Sequence, residues 1–171
     1  MSVDESVAFQ ILVEDKPGVL FRVINHFRRL NLNIDAVTVA PIPGMVGKSG
    51  ITVNLKASSE ECSMVQRMLS KSVDVVSVRL VRLSEAIRRE LVLAQIKVNR
   101  NTGFERLIEN YGARVLSTRE DTAVVELTGE PDTINSFIKS VLDSGLVSLS
   151  RTGLAVLPLE EKVKEFAENI L

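Results

Sequence analysis

Apolar and polar positions alternate along the chain with two different periods, and the switches between them mark out the elements. Residues 7–13 (VAFQILV) are a run of β-formers and predict a first strand. After a polar turn, Val19, Leu20, Val23, Ile24, Phe27 and Leu30 recur at helical spacing and make one apolar face, with the helix ending near Asn31. Residues 33–41 (NIDAVTVAP) predict a second strand. Residues 42–50 hold three glycines and a proline, so they form a loop. Residues 51–56 (ITVNLK) alternate as a half-buried strand does. Ser58 and Glu61 have the spacing of a capping box, and the helix behind them sets Cys62, Val65, Met68 and Leu69 on one side. Residues 73–81 (VDVVSVRLV) complete a βαββαβ order, the ferredoxin-like unit.

The same order then returns. Residues 84–90 (SEAIRRE) are charged, lack glycine and proline, and predict a short helical connector. Residues 91–98 form a strand. Thr102 and Glu105 are placed to cap a helix whose face is Phe104, Leu107, Ile108 and Tyr111. Strands at 113–117 and 122–128 flank a polar turn. Pro131 opens a helix with Ile134, Phe137, Ile138, Val141 and Leu142 on its apolar side. Residues 146–156 predict one last strand, and 159–171 a charged C-terminal helix. The expected architecture is α+β, two consecutive ferredoxin-like βαββαβ patterns over residues 7–83 and 90–157. The domains expected are 1–83, a connector 84–90, and 91–171 with the C-terminal helix. Small units of this kind have exposed sheet edges and modest cores, and joining edges between copies cures both, so a homodimer at least is expected.

Composition narrows the function. Lys and Arg number 21 against 22 Asp and Glu, a net charge of −1, so no global field draws the 171-residue chain to nucleic acid or an anionic membrane. No apolar run reaches the ~20 residues that span a bilayer. The acidic start argues against a secretory signal, and one cysteine, Cys62, suits a reducing cytoplasm. Catalytic chemistry is poorly provided for. His26 is the only histidine and has no metal-ligand spacing around it; it reads as a boundary residue. Cys62 lacks a CxxC partner and reads as a buried, inert thiol. Residues 44–49 (GMVGKS) end like a phosphate loop but hold two residues between the glycines where the pattern needs four. Arg79, Arg82, Arg88 and Arg89 cluster in sequence, yet no strand carries the stacking aromatics of a ferredoxin-like RNA binder. No catalytic and no metal-binding residue is assigned.

The stretch with chemical promise is VEDKPGVLFRVINHF, residues 13–27. A strand-to-helix turn aims unpaired N–H groups outward, and the helix dipole favours an anion there. Gly18 removes the Cβ that would block a ligand, and Pro17 pre-sets φ without losing a needed donor. Asn33 offers an amide donor and a carbonyl acceptor, suited to the two ends of an amino acid. On these residues alone, a tight turn that merely punctuates the chain and a ligand seat are both open.

Residues 13–37 (VEDKPGVLFRVINHFRRLNLNIDAV) resemble the ACT-domain signature. Together with NIDAVTVAP, VDVVSV, RRELVLAQIKV and SRTGLAVLPLEE, they resemble the small, regulatory subunit of acetolactate synthase over nearly the whole chain. The resemblance implies a first domain of ACT type, paired side by side with a second copy and binding valine between them. It implies effector contacts at Asp15, Gly18, Val19, Leu20, Asn33 and Ile34. It also implies a non-catalytic chain that activates a separate large subunit and carries valine feedback in branched-chain amino-acid biosynthesis. Thiamine diphosphate, FAD and Mg²⁺ would belong to that large subunit. Two departures stand out: Asp15, where valine-sensitive members carry Asn, and the 42–50 loop. A free-standing ACT-domain amino-acid sensor is the alternative, and the second half of the chain speaks against it.

Overall fold

The computed structural model describes residues 4–98 and 103–159. They form two compact units, one built on Met1–Ile87 with the segment from Val156, the other on Arg88–Ala155.

The first unit runs β1 (Glu5–Glu14), α1 (Val19–Arg29), β2 (Ile34–Pro41), β3 (Lys48–Ala57), α2 (Ser59–Leu69) and β4 (Val75–Arg82). Its sheet is antiparallel with order β2-β3-β1-β4. As an inner strand, β1 is buried on both sides, which is why its sequence reads as an unbroken apolar run. Val7, Phe9, Ile11 and Val13 face the helices, where they meet Val19, Val23 and Phe27 of α1 and Cys62, Val65 and Leu69 of α2. Phe9 and Phe27 pack edge to face with ring centroids 5.4 Å apart, a geometry worth about 1 kcal/mol beyond the area it buries. Ser58 caps α2 as its spacing predicts: its hydroxyl accepts from the N–H of Glu61, whose carboxylate accepts from the N–H of Ser58 at 2.8 Å. The bond from the Ser58 N–H, and next one from the Ser58 hydroxyl, hold Glu61's carboxyl below its ordinary pKa. Burial, and next the Glu61 charge, push the Cys62 thiol up, so it is held protonated.

The second unit repeats the topology with β5 (Ala86–Lys97), α3 (Phe104–Tyr111), β6 (Arg114–Arg119), β7 (Thr122–Gly129), α4 (Pro131–Asp143) and β8 (Leu146–Arg151), in sheet order β6-β7-β5-β8. Ile134, Phe137 and Val141 of α4 and Leu107 of α3 cover Val92, Ala94, Ile96, Val125 and Leu127. Pro131 occupies the first turn of α4, as its position predicts. A short β9 (Ala155–Pro158) pairs with β5, and the Gln10 amide donates to the Val156 carbonyl at 2.8 Å.

The structure departs from the sequence-based expectations in four places. Residues 84–90 are no helical connector: a single 3-10 turn at Leu83–Glu85 leads straight into β5. Residues 86–90 alternate between half-buried and exposed, the period of a strand, and Glu130 draws in both Arg88 and Arg89. The last strand is split into β8 and β9 by residues 152–154. The loop after β2 is shorter than 42–50, because β3 begins at Lys48, where pairing with Glu14 extends the ladder. Finally, α3 is capped by Gly103 in the left-handed region, whereas Thr102 lies outside the described residues, as does the helix expected over 159–171 beyond Leu159. No helix of the described residues is long and apolar enough to cross a membrane.

His26 joins α1 to the turn before β4, its Nε2 lying 2.7 Å from the Ser72 hydroxyl, while Nδ1 is buried without a partner. Burial, and then the Arg29 charge, lower its pKa from the usual value near 6.5. The unfolded chain therefore takes up the proton first. Stability is full above about pH 6.5 and declines as pH falls through the folded-state pKa. Unfolding midpoints measured between pH 7.5 and 5, roughly the range in which an ordinary histidine titrates, should show this decline. His26→Gln, which cannot take up a proton, should flatten it.

Candidate functional site

The turn between β1 and α1 is built from three segments. The Glu14 N–H donates to the Asp74 carbonyl at 2.9 Å and the Asp15 N–H to the Gly47 carbonyl at 2.8 Å, so the turns before β4 and before β3 both clamp it. Lys16 N–H and Val19 N–H are used inside the turn, on Glu14 and Lys16 carbonyls. Gly18, the residue before the helix, has φ +82°, and no side chain caps α1. Among the described residues the N–H groups of Gly18, Leu20 and Phe21 have no acceptor. The turn thus presents a cluster of free donors at the positive end of a helix dipole.

The charges around it are nearly matched. Glu14 is held by Lys48 and lies 3.7 Å from Lys16 Nζ; the hydrogen bond from Lys48 keeps its carboxyl below the ordinary carboxylate range. Arg22 Nε donates to Asp74 Oδ2 at 2.7 Å, and its guanidinium lies alongside Gly18. The exposed carboxylate of Asp15 has no cation or donor partner among the described residues. It is the acid of the turn left free to meet an ammonium group.

The six residues implied by the sequence do not all meet in one chain. Asp15, Gly18, Val19 and Leu20 share the turn, although Val19 is buried in the core at 3% exposure and only the exposed Asp15 and Leu20, the latter at 42%, offer side chains. Asn33 is exposed and Ile34 half-buried at the start of β2. In the sheet Ile34 sits opposite Leu55, which sits opposite Val7, whereas the turn follows Glu14, opposite Lys48. Seven strand residues at ~3.4 Å each separate the two places by roughly 24 Å. The other end of β2, by contrast, is at the turn: Pro41 pairs with Ser49, next to Gly47 and Lys48. β2 is an edge strand, and its helix-side Val37 and Val39 are 37% and 46% exposed. On α1, Phe21 is 75% exposed. Leu20 keeps the helical period past the point where the core ends, and the exposed Phe21 beside it had no signal of its own in the sequence.

Comparison with known proteins adds a family to this geometry. Residues 9–77 match the family model described as an AHAS small subunit-like ACT domain. Residues 89–159 match the model for the small subunit of acetolactate synthase. The chain is 30% identical to a probable acetolactate synthase small subunit from Archaeoglobus fulgidus over 145 residues, 84% of this chain and 90% of the relative. It is 29% identical to a probable acetolactate synthase small subunit from Methanothermobacter thermautotrophicus, over 83% and 86% of the two chains. The crystal structure of the acetolactate synthase small subunit from Thermotoga maritima superposes with a TM-score of 0.82, at 23% identity, over 91% of this chain and 98% of that one; this likeness shows the fold.

Any side chain at Gly18 meets two obstacles: the left-handed φ, and Arg22 Nη1 only 3.1 Å from where a Cβ would sit. Gly18→Ala should therefore lower stability by about 1 kcal/mol, read as a fall of several degrees in the unfolding midpoint. An unchanged midpoint would mean that the turn relaxes to another conformation.

Proposed function

The chain belongs to the acetolactate synthase small-subunit family, and on that premise we propose that it raises the activity of the separate catalytic large subunit and transmits valine feedback to it. Membership of a small-subunit family gives the chain a regulatory, non-catalytic role beside a large catalytic partner. Thiamine diphosphate, FAD and Mg²⁺ are assigned to that partner, and both subunits to the cytoplasm.

The observation that carries the effector reading is the separation of the two halves of the site. Free N–H groups suited to an amino-acid carboxylate lie at one end of the sheet, and Asn33 lies at the other. Two copies pairing antiparallel through their β2 edges would set Asn33 of each beside the Pro41 end of its mate, hence beside the mate's turn. The same pairing would cover Val37 and Val39 and satisfy the free edge. In this arrangement the ligand carboxylate meets the N–H groups at the start of α1. Asn33 of the other copy and the unpaired Asp15 take the ammonium group. A branched aliphatic side chain would lie against Leu20 and Ile34. Because the ligand touches two copies, it favours whichever arrangement brings them together, and linkage carries that preference to the large subunit. Asp15 sharpens ammonium recognition but repels the carboxylate.

Assaying the large subunit with and without this chain, plus and minus valine, tests the proposal: the chain should raise the rate and valine should reverse the gain. No complex and no activation would overturn it. In calorimetry of valine, Asn33→Ala should abolish measurable binding, and Asp15→Asn should tighten it, because relief of the repulsion on the ligand carboxylate outweighs the lost attraction for its ammonium group. Full affinity in Asn33→Ala would place the ligand elsewhere.

A further inference from the structure

Two side chains one turn apart on α1 reach across to the turn that precedes β4. Arg22 Nε donates to Asp74 Oδ2 at 2.7 Å, and His26 Nε2 lies 2.7 Å from the Ser72 hydroxyl. Their i, i+4 spacing puts both on one helix face. β4 begins with a bulge: Leu12 of β1 pairs with Ser77 and Val13 with Val75, so Val76 is an extra residue. Before that bulge the chain is tightly wound, with the Ser72 N–H on the Leu69 carbonyl and the Val75 N–H on the Ser72 carbonyl. The turn before β4 is thus fixed both within itself and against α1.

Asp74 is the residue of this turn that meets the β1–α1 turn, and it does so twice. Its carbonyl accepts the Glu14 N–H at 2.9 Å, and its carboxylate holds Arg22. Arg22 donates its own N–H to the Gly18 carbonyl at 3.1 Å, and its Nη1 lies 3.1 Å from where a Gly18 Cβ would sit. The room beside Gly18 is therefore taken, on this side, by a guanidinium of the same chain. A charge-assisted hydrogen bond is short and directional, so Asp74 fixes where that guanidinium lies. The guanidinium in turn lies against the residue whose left-handed φ starts the helix. The N–H groups of Gly18, Leu20 and Phe21, which have no acceptor among the described residues, follow directly.

We propose that Arg22 and Asp74 are positioning residues of the effector turn: together they aim its free N–H groups, and so set the affinity for a carboxylate, without touching the ligand. This rests on the reading of that turn as half of an amino-acid site. Preorganised donors bind more tightly because less is lost in ordering them. Field and position make opposite demands on Asp74, which separates the two effects. As an acid near an anion seat, Asp74 weakens carboxylate binding through its charge, so its loss alone would tighten it. As the anchor of Arg22, its loss weakens binding.

The test is calorimetry of valine with purified full-length protein, as wild type, Asp74→Ala, Asp74→Asn, Arg22→Ala, the Asp74→Ala/Arg22→Ala double variant and Arg28→Ala. Amide hydrogen exchange and unfolding midpoints are measured on each. Arg28 is an exposed cation of the same helix whose Nε donates to the Asn25 side chain. Asp74→Ala should weaken valine binding about tenfold. Asp74→Asn keeps a side-chain oxygen for Arg22 and should stay within about threefold of wild type. The double variant should bind no more weakly than Arg22→Ala alone, because the two residues act as one unit. Arg28→Ala should stay within about twofold. Midpoints should hold within about 3 °C, since the pair is partly exposed, while the Glu14 amide exchanges faster in Asp74→Ala with no ligand present. Valine binding in Asp74→Ala as tight as in wild type or tighter, or an unchanged Glu14 amide, would overturn the positioning role. A wild-type protein that binds no valine would overturn the effector reading, and the Glu14 amide would then decide alone whether the pair holds the turn.

Discussion

The amide of Asp15, donating to the Gly47 carbonyl, ties the β1–α1 turn to the loop before β3, and the fate of every other donor in the turn follows from it. With Glu14 held by Asp74 on the opposite flank, the chain enters Pro17-Gly18 at a fixed angle, and Gly18 must take a left-handed φ to start α1. The same clamp spends the N–H groups before the proline and leaves those at the helix start free. It also joins the turn to the Pro41 end of β2, and through the antiparallel register to the far end of the sheet from Asn33. The division of the proposed ligand seat between two copies then follows from strand geometry: one chain cannot fold roughly 24 Å of sheet back on itself.

The two units share a topology and differ in the residues at their sheet edges. β2 (IDAVTVAP) carries one charge, Asp35, in a bulge, and a terminal proline that stops the ladder. It can meet an identical strand without like charges facing. β6 (RVLSTR) has a cation at each end and a bulge at Leu116. Charges and bulges of this kind discourage indiscriminate edge pairing.

Much of the fold was legible in the sequence, because strands and helices of a ferredoxin-like unit have different periods and the turns between them carry Gly, Pro and capping residues. Ser58 with Glu61 and Pro131 announced their helices correctly, and Val23, Phe27, Ile134, Phe137 and Val141 were placed in the core. Residues 84–90 misled, since local propensity favours a helix there while pairing in the sheet and the Glu130 ion pairs make 86–90 a strand. Leu20 and Leu142 kept the helical period but lie beyond the edge of the core, and periodicity does not report where a core stops. For the six residues expected at the site, the distance between the turn and the start of β2 was not legible. That separation comes from register, a long-range property, and so does the choice of Asp15 as the unpaired carboxylate of the turn.

The account turns on the effector site being completed by two chains, and mixing two defective copies tests this directly. Leu20→Asp damages the turn half and Asn33→Ala the strand half, so neither protein alone should bind valine. Random reassembly of equal amounts makes half of the dimers mixed, each with one intact site, and should restore about a quarter of the wild-type binding capacity at wild-type affinity. A mixture that stays silent while exchanging subunits freely would mean that both halves belong to one chain, and would contradict the account.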